Sequence, residues 1–236
     1  MGKRVVLIYH TDGPTDDRAF TYIRDAGFTP DVRRPFQGDS LEAPGGDVAG
    51  SVVYGGPFVP AEEASHPFLQ DEHRWIADCM EREIPLLGIC QGAQSIAHVL
   101  GARTGPRPEG LYEFGYYQIR PTEAGRELLP EPIYVSQSHF HEFETPKGAE
   151  LLAESDWYPQ QAFRYGPSTY AFQFHAEVTP AGFRRWQEAD WAHYGKPGAQ
   201  AREEQDKLQV EHDAVQHRWF MGFLESLFPK TKAEAA

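Results

Sequence analysis

The chain has 236 residues, and its 22 basic and 35 acidic side chains give a formal net charge of −13. An acidic excess repels phosphate backbones and anionic lipid surfaces, which argues against nucleic-acid and membrane-surface partners. Hydrophobic residues at 40% and charged residues at 24% are ordinary globular values and exclude a largely disordered chain, and the length suits one large α/β domain.

The opening residues Met1–Arg4 lead into only a short apolar run, Val5–Tyr9. A signal peptide needs a longer stretch, and a membrane helix needs about 20 apolar residues, which no segment reaches. Two cysteines, Cys79 and Cys90, make no disulfide framework. The expectation is a cytoplasmic protein with reduced thiols, in which a cysteine in a special context can be a nucleophile.

In chain order, Val5–Tyr9 reads as a buried first strand. Thr15–Ala26 reads as a helix, with Ala19, Tyr22, Ile23 and Ala26 at helical spacing and Gly27 as its stop. Thr29–Arg33 reads as a second strand, and residues 35–50, rich in Gly, Pro and Asp, as loops. Ser51–Tyr54 reads as a strand closed by Gly55-Gly56-Pro57. Pro67–Glu83 is a second helix whose stripe holds Cys79 as a small core residue. Pro85–Ile89 is an apolar strand, and Gln91–Leu100 a helix stopped by Gly101. This alternation implies an α/β fold with a mostly parallel central sheet flanked by helices.

Beyond Gly101 the texture changes. Tyr112–Arg120, Pro132–Ser136, Gln161–Tyr165 and Thr169–His175 read as strands. Thr179 is a helix N-cap with Pro180 in the first turn. A last helix over Gln200–Leu227 carries the stripe Leu208, Val215, Trp219, Phe223 and Leu227, which is expected to pack on the core.

The segment Gly88-Ile89-Cys90-Gln91-Gly92 puts a cysteine between two glycines at a strand-to-helix junction. The arrangement is that of a nucleophile elbow: a sharp turn pushes the thiol out, and glycines two residues away leave room for close neighbours. The helix after it points its free N–H groups at the thiol, favouring a thiolate and then an oxyanion. A thiol nucleophile needs a base and a group to orient that base. Phe172-Gln173-Phe174-His175-Ala176-Glu177 supplies both, with His175 and Glu177 on one side if the strand stays extended that far. Acyl transfer also needs an oxyanion hole, for which the backbone N–H groups of Gly56 and Gln91 are the candidates.

Together, Val53-Tyr54-Gly55-Gly56-Pro57, Pro85–Gln94 and Gln173–Glu177 resemble the class I (triad) glutamine amidotransferases, over about Val5 to Trp186. Glu113–Tyr117 and Ser136–His139 are also similar to that family. The resemblance implies a flavodoxin-like sheet within a domain over residues 1–191, while the residue pattern itself reads as a C-terminal helix over 192–228 packed on that domain and a solvated tail over 229–236. It implies a Cys90-His175-Glu177 triad, no cofactor and no metal. It also implies that Gln94 and Ser138 hold the amino-acid end of the substrate, with His139 and Phe140 beside them. Ala176 stands where the family usually has proline, and Phe140-His141 where many members have a small residue followed by an acidic one. Those departures bear on the substrate more than on the triad.

The leading expectation is hydrolysis of the γ-glutamyl amide of glutamine through a γ-glutamyl thioester. No synthase domain fits in 236 residues and no G-x-x-x-x-G-K-[ST] loop is present, so a separate synthase is one implied partner. The alternative is a stand-alone γ-glutamyl hydrolase or peptidase acting on a small conjugate. Two rivals come from other classes: a zinc enzyme using the H-x-H pair His139 and His141, and a catalytically silent binding protein with the same fold.

Overall fold

The structure is a computed structural model that describes residues 2–230. Strands and helices alternate along the first half of the chain: β1 (Arg4–Ile8), α1 (Arg18–Asp25), β2 (Thr29–Arg33), β3 (Val48–Val53), α2 (Phe68–Glu81), β4 (Leu86–Ile89) and α3 (Gln91–Val99). The second half is strand-rich: β5 (Thr104–Pro106), β6 (Glu113–Pro121), β7 (Ile133–His139), β8 (His141–Phe143), β9 (Glu150–Glu154), β10 (Ala162–Tyr165) and β11 (Thr169–Phe172). Two helices close the described chain, α4 (Pro180–Gln187) and α5 (Arg202–Leu227).

Nine strands form one sheet in the order β2-β1-β3-β4-β11-β10-β9-β6-β7. The β2 to β11 half is parallel, and every pairing from β11 onward to β7 is antiparallel. Both faces of the parallel half are covered, so its strands read as apolar runs: Val5, Leu7, Ile8, Val52, Val53, Leu86 and Leu87 are all fully buried. The small β5–β8 ribbon and strand β9 are additions to the expected elements. Each is short, and β5 and β9 lack an alternating apolar pattern.

Three expectations shift. Helix α1 starts at Arg18, because Asp17 caps it by accepting the Phe20 N–H at 2.9 Å. Strand β11 stops at Phe172, three residues before His175. The chain then crosses to β7, where the His175 N–H donates to the Ser136 carbonyl at 2.8 Å. The stripe expected on α5 is also only partly right: Val215 is 44% exposed, whereas Gln205, Gln209 and Gln216 are buried.

The reason lies in what α5 covers. Its first turns, with the loop before them, lie along the antiparallel edge of the sheet, where backbone groups need partners. Gln200 bridges the Tyr116 N–H and carbonyl at 2.8 and 2.7 Å, Gln205 donates to the Phe114 carbonyl at 2.8 Å, and Gln216 accepts from the Ser136 N–H at 2.6 Å. Only the last turns are apolar inward, burying Phe220, Phe223, Leu224 and Leu227. The tail expected over 229–236 falls mostly outside the described residues. Among the described residues no helix is long and apolar enough to cross a membrane.

Candidate active site

Strands β3, β4 and β11 are neighbours in the parallel half, so their carboxyl ends lie side by side. Each delivers one piece. Gly55-Gly56 follows β3, Cys90 follows β4, and His175 lies three residues beyond β11. Ligands in open parallel sheets bind at this end of the strands.

Cys90 is the junction of β4 and α3. Its backbone sits at φ 51°, ψ −107°, a left-handed conformation rare for a residue with a side chain. The backbone is held there: the Cys90 N–H donates to the Phe172 carbonyl at 2.7 Å, and its own carbonyl accepts from the Gln94 N–H at 3.0 Å. Both flanking glycines are needed for space. A Cβ on Gly88 would stand 2.6 Å from the Gly92 carbonyl oxygen, and one on Gly92 would stand 2.0 Å from that of Val53. The first amides of α3 have no intrahelical acceptor and converge on the turn that carries the thiol.

His175 is fastened on several sides. Its carbonyl accepts the Ser136 hydroxyl at 2.6 Å, and Nδ1 lies 2.8 Å from Oε1 of Glu177. The Trp186 ring stands edge-on to the imidazole, with centroids 4.8 Å apart. The site of a Gly55 Cβ would be 2.8 Å from His175 Cε1 and 3.3 Å from Cys90 Cβ, so the thiol, the imidazole and the glycine loop meet at one point. Burial works against a charged His175, but the carboxylate of Glu177 and the neighbouring Cys90 side chain outweigh it and raise the imidazole to about 10. His175 and Glu177 thus face each other across a turn, not along an extended strand. Arg18 steadies that turn, its guanidinium donating to the Ala176 carbonyl at 3.0 Å and its backbone N–H to the Glu177 carbonyl at 2.8 Å.

The Gly55-Gly56 loop is held by two residues that motif spacing did not single out in these roles. The Gln91 side-chain oxygen accepts the Phe58 N–H at 2.9 Å, tying the loop to the first turn of α3. His10 lies beneath Gly56, with Nδ1 3.0 Å from the Tyr54 carbonyl oxygen and Nε2 2.7 Å from Oε2 of Glu72. Burial disfavours a charged His10, and the equally buried Glu72 carboxylate overcomes this and raises it. A Cβ on Gly56 would stand 2.3 Å from His10 Cβ. No motif marks His10, since a lone histidine in a polar turn has no pattern.

The remaining expected site residues divide. Gln94 is 3% exposed and donates to Gln173 Oε1 at 3.2 Å, so its amide N–H is already engaged. Ser138 is half-buried on β7, opposite Phe114 of β6. His139 does not match a substrate-side place: it is buried, with Nε2 2.9 Å from Glu113 and Nδ1 2.9 Å from the His141 carbonyl oxygen. Alternation along β7 turns it into the sheet's polar interior, and both ring nitrogens are spent there. The same contacts remove His139 from the H-x-H zinc alternative. Phe140 is 37% exposed and stacks on Tyr112 at 4.8 Å. With His193 and Trp191 it forms an aromatic wall that reaches Trp186 and hence His175.

Residues 18–185 match the family described as glutamine amidotransferase class-I. YfeJ, a glutamine amidotransferase-like protein of Salmonella typhimurium, is 31% identical over 184 residues, covering 75% of this chain and 76% of that protein. A glutamine-hydrolysing GMP synthase subunit of Archaeoglobus fulgidus is 32% identical over 139 residues, or 58% of this chain and 70% of that polypeptide. The GMP synthase of Thermosipho africanus is 31% identical over 164 residues, and the match spans only 30% of its length. Among solved structures, a glutamine amidotransferase of Thermotoga maritima superposes with a TM-score of 0.84 at 28% identity, covering 97% of this chain and 99% of that one. The extent of these matches, over the same segments that build the elbow and the His175 turn, places the chain in the class I glutamine amidotransferase family.

Proposed function

We propose that the chain hydrolyses the γ-glutamyl amide of glutamine, with Cys90 as nucleophile, His175 as acid and base, and Glu177 as its orienting carboxylate. The observation that carries this reading is the Cys90 turn at φ 51°, held against an imidazole whose other nitrogen faces a buried carboxylate. His175, whose basicity is raised beside Glu177, takes the Cys90 thiol proton and so generates the attacking thiolate. The thiolate attacks the amide carbon, and the backbone N–H groups of Gly56 and Gln91 receive the oxyanion. His175 gives its proton to the departing nitrogen as the C–N bond breaks, leaving ammonia and a γ-glutamyl thioester. Neutral His175 then takes a proton from water as the water attacks the thioester. Glutamate leaves and the thiolate–imidazolium pair is restored. Ser138 and the carbonyl side of Gln94 are the groups proposed to hold the α-amino and carboxylate end.

The likeness to a glutamine-hydrolysing GMP synthase polypeptide favours ammonia delivery to a separate synthase. The aromatic wall of Phe140 and Trp191 favours a second reading, hydrolysis of a γ-glutamyl conjugate with a bulky leaving amine. Ammonia release from L-glutamine by the purified chain, beside Cys90→Ala, tests the proposal. Release that depends on Cys90 supports a self-sufficient glutaminase. If glutamine gives none, γ-glutamyl anilides distinguish the second reading. Release that survives Cys90→Ala overturns the triad.

A further inference from the structure

On the far side of α3 from the elbow, three side chains converge without a role in the chemistry above. Glu63 comes from the loop before α2, His73 from α2 and His98 from the last turn of α3, and one donor atom from each lies within 4.8 Å of the others. Among the described residues this is the one cluster of three or more such side chains. We propose that Glu63, His73 and His98 form a binding site for one divalent transition-metal ion of the zinc type.

The donor set is the first support. Two imidazoles and a carboxylate suit zinc, and water completes a tetrahedral shell. The second support is His73, which is only 8% exposed. Its Nδ1 lies 2.6 Å from Oε1 of Glu63, while Nε2 is buried with no hydrogen-bond partner. A buried polar atom without a partner is costly, and a cation taken up by the ring supplies one. The third support is the field. His98 stands in the last turn of α3, where the helix dipole places negative potential. Glu63, His73 and His98 line an open cleft of about 440 Å³. Arg74 at its rim is already paired with Asp71.

Tetrahedral donors at zinc stand about 3.4 Å apart, and the three donor atoms already lie within 4.8 Å of one another, so adjustments on the order of 1 Å bring them round one ion. Closing them ties the carboxyl end of α3 to α2. The amino end of α3, about 12 Å away for a helix of this length, carries Cys90. The ion therefore acts on the stability of the α2–α3 pair and takes no part in bond breaking.

The test is calorimetric titration of the full chain, freed of any affinity tag, with zinc chloride in a non-chelating buffer. It is done in a Cys90→Ala background, so that the thiol and His175 cannot compete for the ion. The expected result is one ion per chain, with affinity falling about tenfold or more in His98→Ala. Zinc should also raise the thermal midpoint of the Cys90→Ala protein and not that of its His98→Ala derivative. His98 is partly exposed at a helix end, so its loss leaves the fold intact; Glu63→Gln is a second variant in an exposed loop. Cobalt(II) in place of zinc should give the visible bands of tetrahedral nitrogen and oxygen coordination without a thiolate charge-transfer band. Absence of binding, or binding unchanged in both variants, overturns the proposal.

Discussion

A Cβ on Gly92 would stand 2.0 Å from the carbonyl oxygen of Val53. The first turn of α3 and the end of β3 are therefore in direct backbone contact, which brings the thiol turn and the Gly55-Gly56 loop together. Gly92→Ala must push these elements apart. We expect a loss of about 3 kcal/mol or more and little remaining activity. Gly101→Ala is the control: its φ is +81° but nothing lies within 4 Å, so its cost is only the left-handed conformation, about 1–2 kcal/mol. Urea denaturation midpoints of the two variants check this.

Strain at Cys90 gives a stability prediction of opposite sign. A left-handed, sparsely populated conformation at a side-chain-bearing residue costs about 1–3 kcal/mol. Cys90→Gly relieves it and, after the entropy cost of glycine, is expected to stabilise the chain by about 1 kcal/mol while abolishing ammonia release. Cys90→Ala keeps a Cβ in the strained geometry and should gain nothing from this source. Thermal midpoints of the three proteins decide it.

The raised His175 makes stability depend on pH. Its folded value of about 10 lies above the ordinary 6.5, so the folded state binds the proton more tightly than the unfolded state. The resulting stabilisation is fully present below pH 6.5 and is lost as the pH rises through about 10. His175→Gln should flatten that part of the stability profile. Since Cys90 is one of the groups that raise the imidazole, the His175 ring should titrate at lower pH in Cys90→Ala, as read by NMR of the ring protons.

Gln91 offers a test of the loop anchor separate from the reacting atoms. Gln91→Leu keeps the backbone N–H but removes the acceptor of the Phe58 N–H. We expect kcat to fall about tenfold to a hundredfold with KM nearly unchanged, because the Gly56 N–H is no longer held at its place. A parallel fall in KM and kcat, or no effect, would argue against a positioning role.

The aromatic wall is tested by Phe140→Gly and Trp191→Ala, both at exposed positions. Glutamine hydrolysis should change by less than about threefold. The kcat/KM for γ-glutamyl-p-nitroanilide should fall about five- to tenfold, the worth of one aromatic contact. Release of p-nitroaniline measures it directly.

Much of the site was legible because its chemistry is local. The two glycines around Cys90 are dictated by close approach, and that need is written at fixed spacing in the chain. The His175–Glu177 pair is two residues apart, close enough for a turn to join them even though β11 ends at Phe172. His139 entered with a motif similar to the family's, and a motif does not show that its ring is held inside the sheet between Glu113 and the His141 carbonyl. On α5, an apolar stripe was expected where the helix instead lends glutamines to unpaired strand edges, a role set by its neighbours.

By itself the sequence determined the α/β alternation, the strand-to-helix turn at Cys90 and the short spacing of His175 and Glu177. Each depends on periodicity, glycine placement or short spacing, which are properties of adjacent residues. Only the tertiary structure decided the antiparallel half of the sheet, the anchoring of His175 by Ser136 and Arg18, the support of Gly56 by His10 and Glu72, and the meeting of Glu63, His73 and His98. These contacts join residues far apart in the chain, and they form only when the sheet order brings their strands and helices side by side.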